Sequence, residues 1–305
     1  MNLQTDRRLT DLLKENRFTL SAEIVPPRNG AGPGVIVDQI RRLTAAGSQF
    51  LAVTKGAGGS LRGGSLPIAQ IIKEQFQTPC IAHFTCRDLL PEEVESQLVD
   101  HHFFGIRNIL ALRGDPPVGV DWSPRPGSHP YAYKLVEQLR ALNEGRYIDR
   151  AGFKTEVHEK TEFCIGVACY PDHGDAAEHL DFYRRKVDAG AEYAITQMLF
   201  DADSYSRFLD ASAALGMKIP VLPGVRMVRT RAQAVRVGQR FGIPVAESYL
   251  RDLPEESPAL GSDQALDAFL KLAEKFRAAG APGIHLFVLS ETEMAEAALT
   301  RLARS

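Results

Sequence analysis

The chain has 305 residues, of which 44% are hydrophobic and 24% are charged, a composition typical of globular proteins. Its 36 basic and 38 acidic side chains give a formal net charge of −2, which would attract neither nucleic acid nor an anionic membrane surface. No stretch approaches the ~20 apolar residues of a membrane-spanning helix, and the start, "MNLQTDRRLTDLLKENRF", is an amphipathic helical pattern without an apolar signal core. We therefore expect a cytoplasmic protein whose partner is a small molecule.

The predicted strands are short runs rich in apolar and β-branched residues, and they alternate with longer amphipathic segments. There are eight such runs, at 18–25, 49–55, 79–86, 108–114, 163–170, 193–200, 220–225 and 283–290. Helical patterns lie between them, for example at 91–103, 175–190 and 201–216, with Asp or Pro near the start and Gly near the end. Eight successive βα units predict a single (β/α)8 barrel domain over residues 1–305.

A doubly wound parallel sheet is the structural alternative. That fold usually places GxGxxG directly after its first strand, where this chain has "PPRNGA" at 26–31. The barrel is therefore the favoured prediction.

Three stretches interrupt the βα repeat, at 116–130, 143–162 and 246–263. The first is rich in proline and follows the fourth strand, so we expect an active-site loop there. The second precedes the fifth strand, so it should lie at the opposite end of the barrel as decoration or a subunit contact.

The four cysteines lie within apolar runs, and their spacing forms no CxxC pair. We interpret Cys80, Cys86, Cys164 and Cys169 as reduced, buried packing residues. The sequence predicts no metal site.

Polar side chains collect where the predicted strands end, which is where barrel enzymes carry their reacting groups. They are Glu23, Thr54, Lys55, His83, Arg113, Gly114, Asp115, Tyr170 and Gln197. Taken singly, each has a structural explanation, because a histidine in a strand is commonly a core residue and a threonine is an ordinary strand residue. The convergence of six strands on one rim favours a ligand site.

The segment "LRGDPP" (112–117) is the most specific local signal, because Gly114 would let a ligand approach the backbone and the prolines would stiffen the turn. The forked guanidinium of Arg113 suits a phosphate or a carboxylate. An ion pair between Arg113 and Asp115 that braces the turn is the structural alternative.

Two further segments have the composition of phosphate-binding elements. "KGAGGSLRGG" (55–64) could cradle phosphates with its amides, although it lacks the ending of a P-loop. The basic triplet Arg184, Arg185 and Lys186 lies in the C-terminal half of the helical pattern 175–190, where cations complement the helix dipole without any ligand. On the residues alone, a structural role is favoured for the triplet.

Taken together, the motifs resemble those of the methylenetetrahydrofolate reductase family, in the right order from about residue 18 to 300. The resemblance rests on "AEIVPPR", "VTKGAGGS", "AHFTC", "LALRGDPP", "YPDHGDA", "RRKVDAGAEYAITQMLFDADSY" and "PGV". It implies a flavin-dependent (β/α)8 barrel that reduces 5,10-methylenetetrahydrofolate to 5-methyltetrahydrofolate in one-carbon and methionine metabolism. The implied cofactors are FAD and, as electron donor, NADH or NADPH.

The resemblance also implies roles for individual residues. Glu23 matches the general acid, Asp115 matches a carboxylate that contacts the pterin and stabilises developing positive charge, and Gln197 matches a residue that binds the pterin. Apolar neighbours such as Ala22 are expected to favour the protonated form of Glu23. Flavin-binding positions are matched by Thr54, His83, Leu112, Arg113, Gly114, Asp115, Tyr131, Ala132, Tyr170, His173, Arg185 and Lys186.

The chain departs from the family pattern on the side expected to face the substrate and the electron donor. The departures are Ala22, Val25, Lys55, Met227, Val237, Phe287, Ser290 and Glu291. They leave two alternatives open: the same flavin barrel fed by an electron-transfer partner protein, and a non-catalytic flavin- or folate-binding paralogue. By analogy with the family we also expect a homo-oligomer.

Overall fold

A computed structural model describes residues 4–15, 18–27, 32, 34–57, 63–117, 119, 121–149, 159–255, 263–289 and 292–304. Its strands form one closed parallel barrel in the order β1 to β8, with β8 pairing back onto β1. The strands are β1 (Thr19–Ile24), β2 (Phe50–Val53), β3 (Cys80–Thr85), β4 (Asn108–Leu112), β5 (Cys164–Cys169), β6 (Tyr193–Met198), β7 (Val221–Val225) and β8 (Gly283–Phe287). The predicted (β/α)8 barrel is confirmed, and all eight strands lie within the predicted runs.

Helices follow the strands on the outside of the barrel, and one further helix precedes β1. Those of the described residues are α1 (Leu9–Leu13), α2 (Gly34–Ala45), α3 (Ser65–Phe76), α4 (Pro91–Phe103), α5 (Ala132–Asn143), α6 (Ala176–Ala189), α7 (Ala202–Ala214), α8 (Arg231–Phe241), α9 (Glu247–Asp252), α10 (Asp263–Ala278) and α11 (Thr292–Leu302). The predicted helices correspond to α4, α6 and α7. Asp175 and Asp201 cap α6 and α7 by accepting hydrogen bonds from backbone amides of the first turn.

The barrel separates two apolar cores, because successive side chains of a strand point to opposite faces. The larger core lies between the strands and the surrounding helices. The smaller one fills the barrel interior, where Leu9 and Leu12 of α1 join Phe50, Ile81 and strand residues from β4 to β7. Helix α1 therefore plugs the N-terminal end of the barrel.

The N-terminal helix is shorter than its sequence pattern indicates. Among the described residues of this region, only Leu9–Leu13 are helical, and the preceding segment is held extended by buried Asn108. The amide of Asn108 accepts a hydrogen bond from the Leu9 nitrogen at 2.6 Å and donates to Asp6 Oδ2 at 3.1 Å and to the Arg7 carbonyl at 2.9 Å. The Asn108 amide forms these hydrogen bonds with an extended segment, and this competes with extending helix α1 toward the N-terminus.

The proline-rich interruption lies at the C-terminal end of the barrel, anchored to the β3–α4 connection and to the first turn of α4. The Trp122 indole donates to both carboxylate oxygens of Asp88 at 3.1 Å, and Arg125 pairs with Glu93 at 3.1 Å.

The second and third interruptions are described only in part. In 143–162, Ile148 N donates to Glu95 of α4 at 2.8 Å. In 246–263 the described part includes α9, and residues 256–262 lie outside the described chain.

Two general expectations about the chain have structural counterparts. All four cysteines are buried free thiols, as predicted. Within the described ranges, no helix is long and apolar enough to cross a membrane.

Gly166 and Tyr193 interlock in the barrel interior, which generates a stability prediction. They are register partners on β5 and β6, and a Cβ added at Gly166 would lie 2.1 Å from Tyr193 Cζ. Replacing Gly166 with Ala should destabilise the protein by about 2 to 3 kcal/mol, because the packed ring has no room to move. The measurement is the urea midpoint followed by circular dichroism.

Gly34→Ala is the matched control, since nothing lies within 4 Å of its added Cβ and the residue begins α2. It should leave the midpoint unchanged or raise it slightly. Equal midpoints for the two variants would contradict the packing described for Tyr193.

Candidate active site

A large cavity opens at the C-terminal end of the barrel, with a volume of about 1730 Å³. This exceeds the roughly 300–1,000 Å³ of a pocket for one small ligand, so the cavity has room for two ligands together. Of the fourteen residues proposed from sequence as site residues, twelve line it: Glu23, Thr54, His83, Leu112, Arg113, Gly114, Asp115, Tyr131, Ala132, Tyr170, Lys186 and Gln197.

His173 and Arg185 lie off this wall. Arg185 is exposed on α6, where its Nε donates to Asp181 Oδ2 at 2.7 Å, within the helix. The His173 ring packs 5.9 Å from the Tyr170 ring and 5.7 Å from that of His179, which itself lines the cavity. His173 therefore packs against residues of the wall, whereas Arg185 is paired within its own helix.

Glu23 extends from β1 into the barrel interior, and its side chain is 9% exposed. Its nearest charged or titratable neighbours are two imidazoles, with His83 Nε2 at 3.6 Å and His285 Nε2 at 4.0 Å from the same oxygen, Oε2. Ala22 and Ile24 belong instead to the core outside the barrel, because they alternate with Glu23 along the strand. The carboxyl group is thus surrounded by imidazoles rather than by its apolar chain neighbours.

His83 is held neutral beside this carboxyl group. Burial lowers its pKa to about 4, although the Glu23 charge acts in the opposite direction. Its Nε2 is buried and has no hydrogen-bond partner among the described residues. His83 is therefore not a satisfied core histidine, and its polar atom is available to the site.

The turn after β4 depends on Gly114, which has a φ of +94°. An added Cβ would lie 3.1 Å from Arg87 Cβ and 3.2 Å from Thr85 Cβ. The Arg87 guanidinium donates to the backbone carbonyl of Asp115 and holds the turn against β3. The glycine is thus required by its conformation and by close packing, while Arg113 and Asp115 remain exposed on the rim.

Lys186 carries a buried amino group on the cavity wall. Its Nζ donates to the Ala168 carbonyl at 2.8 Å and lies 5.4 Å from the Tyr170 ring. Burial lowers its pKa to about 8, and the positive charge of Arg113 contributes in the same direction. Burial also raises the pKa of Tyr170, with the Asp115 charge as a further cause.

Lys55, one of the departures from the family pattern, directs its ammonium group toward α4. Nζ donates to Gln97 Oε1 at 2.6 Å and lies 4.0 Å from the Phe84 ring, and burial lowers the pKa of Lys55 to about 8.

Among the other departures from the family pattern, Phe287 lines the cavity, while Met227 and Val237 are buried. Ser290 and Glu291 lie outside the described residues.

A β-bulge positions Gln197. The β6–β7 register shifts between Ile195 and Met198, and Thr196 stabilises the irregularity. Its hydroxyl donates to the Gln197 carbonyl at 2.6 Å and accepts a hydrogen bond from Gly224 N at 2.8 Å. Bulges re-aim side chains next to active sites, and here the bulged residue reaches the cavity wall.

Several wall residues were not identified from the sequence: His179, Phe182, Arg226, Arg240 and His285. His285 carries a detectable signal, because it is a polar residue in the apolar run "GIHLFVLS", as His83 is in its own strand. The two arginines lie in the segment after β7 and near the end of α8. Their approach to the cavity depends on tertiary structure.

Comparison with solved structures supports the fold assignment. An uncharacterized protein from Clostridium thermocellum, described as binding two copies of 5-methyl-5,6,7,8-tetrahydrofolic acid, superposes with a TM-score of 0.60 at 13% sequence identity. The match covers 97% of this chain and 99% of that one.

Comparison with curated sequences identifies closer relatives. The 5,10-methylenetetrahydrofolate reductase of Escherichia coli is 31% identical over 294 residues, which cover 93% of this chain and 90% of that protein. Methylenetetrahydrofolate reductase 1 of Schizosaccharomyces pombe is 28% identical over 295 residues, which are 94% of this chain but 46% of the yeast protein. The chain thus spans about half the length of that yeast relative. Residues 8–303 match the family model of methylenetetrahydrofolate reductase, and the chain belongs to this family.

Proposed function

We propose that this protein catalyses the flavin-dependent reduction of 5,10-methylenetetrahydrofolate to 5-methyltetrahydrofolate, with NADH or NADPH as electron donor. The observation that carries the proposal is the buried carboxyl group of Glu23 in a cavity whose wall also includes Asp115 and Gln197. Membership of the reductase family supports the same reaction. The folate ligand named for the clostridial structure agrees with a cavity large enough to hold a folate.

The cavity wall has the chemistry that FAD would require. Lys186 offers a buried cation suited to a phosphate, and Gly114 brings backbone to the wall. Tyr131 stacks on Tyr133 at 5.5 Å and lies 5.4 Å from Phe182, forming an aromatic surface suited to flat rings. When bound, the flavin would supply the hydride that completes the methyl group.

The chain's own residues would manage protons and charge. Glu23 donates a proton to the ring nitrogen of the substrate as the five-membered ring opens, which leaves Glu23 as a carboxylate and the one-carbon unit as an iminium cation. The carboxylate of Asp115 stabilises that positive charge, and the amide of Gln197 holds the pterin. Neutral His83 does not introduce a competing positive charge beside the acid.

Replacing Glu23 with Gln tests the acid assignment. The variant keeps the shape of the side chain but has no acidic proton, so the folate half-reaction should slow by about 100-fold or more. Reduction of the bound flavin by the pyridine nucleotide should be unchanged. Both rates can be measured separately by anaerobic stopped-flow absorbance.

Glu95→Gln provides the control, because Glu95 is a buried acid on α4 whose carboxylate accepts a hydrogen bond from Ile148 N. Its folate half-reaction should match that of the wild-type protein. Retained folate turnover in Glu23→Gln would contradict the assigned role.

Replacing Lys186 with Met tests the phosphate-binding assignment. FAD should bind about tenfold more weakly at pH 7, since a hydrogen bond to a charged group contributes about 1.5 kcal/mol or more. Because the pKa of Lys186 is lowered to about 8, wild-type affinity should fall as the pH rises from 7 to 9 and the cation is lost. The variant should lack that dependence, as measured by fluorescence titration of the apoprotein with FAD.

Arg184→Met is the matched control on the same helix, because Arg184 is exposed and pairs with Asp181 at 2.7 Å. It should bind FAD as the wild-type protein does. The assignment is wrong if the two variants bind FAD equally well.

An anaerobic visible spectrum tests the electron donor and the reaction together. The flavin band should bleach with NADH or NADPH and return when 5,10-methylenetetrahydrofolate is added. If no pyridine nucleotide bleaches it, chemical reduction followed by folate distinguishes the alternatives: reoxidation indicates a partner-fed enzyme, and its absence indicates a binding protein. Cytoplasmic location and homo-oligomeric assembly stay predictions.

A further inference from the structure

A buried chain of polar groups leads away from Glu23 inside the barrel. Ser21 and Glu23 both point inward from β1, and Ser21 is the register partner of His285 on β8. Ser21 Oγ lies 2.9 Å from His285 Nδ1 and 3.1 Å from the Ile284 carbonyl oxygen. His285 is 1% exposed, and its ring stacks on Phe50 at 6.3 Å with an interplanar angle of 9°.

This hydrogen bonding favours the tautomer of His285 with its proton on Nδ1. A serine hydroxyl has one proton, and its contact with the Ile284 carbonyl is a hydrogen bond only when Ser21 donates, because the carbonyl can only accept. With both hydrogen bonds made, Ser21 Oγ accepts from His285, and the imidazole proton lies on Nδ1. In a neutral ring, Nε2 consequently carries a lone pair.

The lone pair faces the carboxyl group of Glu23. His285 Nε2 lies 4.0 Å from Glu23 Oε2 and has no hydrogen-bond partner among the described residues. A lone pair favours a protonated carboxyl group, which can donate to it, and disfavours a carboxylate. The separation exceeds a hydrogen bond, but catalytic hydrogen bonds are commonly long without substrate and shorten in the complex.

We infer that Ser21 and His285 are positioning residues that keep the proton on Glu23 until the substrate takes it. Ser21 fixes the tautomer, and His285 presents the acceptor that stabilises the acid form. This role rests on the proposed function, in which Glu23 is the general acid. The proton passes from Glu23 to the substrate nitrogen, and neither positioning residue changes its own protonation.

Other ionisable groups near Glu23 are accounted for in this arrangement. His83 approaches the same Oε2 from β3 at 3.6 Å, and its neutral ring can donate from Nε2 while the carboxyl group donates to His285. The charged groups Lys55, Arg113, Asp115, Lys186 and Arg226 line the same cavity. They remain in place in a Ser21 variant, so they do not account for a change caused by that substitution.

The tautomer can be measured without any folate chemistry. In protein labelled with 15N-histidine, two-bond 15N–1H correlation spectra distinguish Nδ1–H from Nε2–H rings. His285 should show the Nδ1–H pattern in the wild-type protein and lose it in Ser21→Ala. The signals that disappear in His285→Gln are those of His285. If His285→Gln does not fold, the imidazole signals that change in Ser21→Ala identify His285 instead.

The half-reactions provide the functional readout. In Ser21→Ala, the His285 proton is free to move to Nε2, where it would stabilise the Glu23 carboxylate instead of the acid. The folate half-reaction should slow by about tenfold, the lower end of the loss seen when groups that orient metal ligands are removed. Flavin reduction by NADH or NADPH should be unchanged.

Ser48→Ala is the matched control, because it also removes a buried hydroxyl that donates to a barrel carbonyl, that of Phe50 at 2.8 Å. It should leave the His285 tautomer and both half-reactions unaltered. Equal effects of the two serine variants would reduce the role of Ser21 to packing and overturn the proposal.

The remaining outcomes separate this inference from the proposed function. An Nε2–H pattern for His285 in the wild-type protein overturns the tautomer assignment. The expected tautomers with an unchanged folate half-reaction in Ser21→Ala overturn the positioning role. If the tautomers are as expected but the wild-type protein does not turn over folate, the structural assignment is supported and the proposed function is rejected.

Discussion

The burial of one carboxyl group inside the barrel is the constraint on which the site depends. A buried carboxyl group without polar partners is costly to the fold. Glu23 lies beside two imidazoles contributed by β3 and β8, which are separate strands brought to one depth only by closure of the sheet. The register of β1 with β8 therefore closes the barrel and also places His285 beside Glu23.

The apolar core inside the barrel lies beneath Glu23. Leu9 and Leu12 of α1 close the far end of the barrel, and Phe50 packs flat against His285. This arrangement keeps the polar chain from Ser21 to Glu23 in a buried environment, where electrostatic interactions are strong and unpaired polar atoms are costly. The apolar interior thus holds a few polar atoms in fixed orientations.

The sequence predicted local features well because their causes are local. Strand and helix positions follow from periodicity and from caps such as Asp175, and Glu23 and His83 stand out as polar residues in apolar strands. The placement of Gln197 depends on a bulge between two strands, which no single segment encodes. His285 had the same local signal as His83, but its significance lies in the pairing of β8 with β1.

Half-buried Lys55 and buried Lys186 show why residue identity alone does not determine a role. Burial lowers both pKa values to about 8. The Lys55 ammonium is held by Gln97 and the Phe84 ring against α4, whereas Lys186 binds a strand carbonyl beside Tyr170. The ammonium group introduced by Lys55, a departure from the family pattern, is thus engaged by the protein itself. Two lysines with similarly lowered pKa values therefore stand in two different settings on the cavity wall.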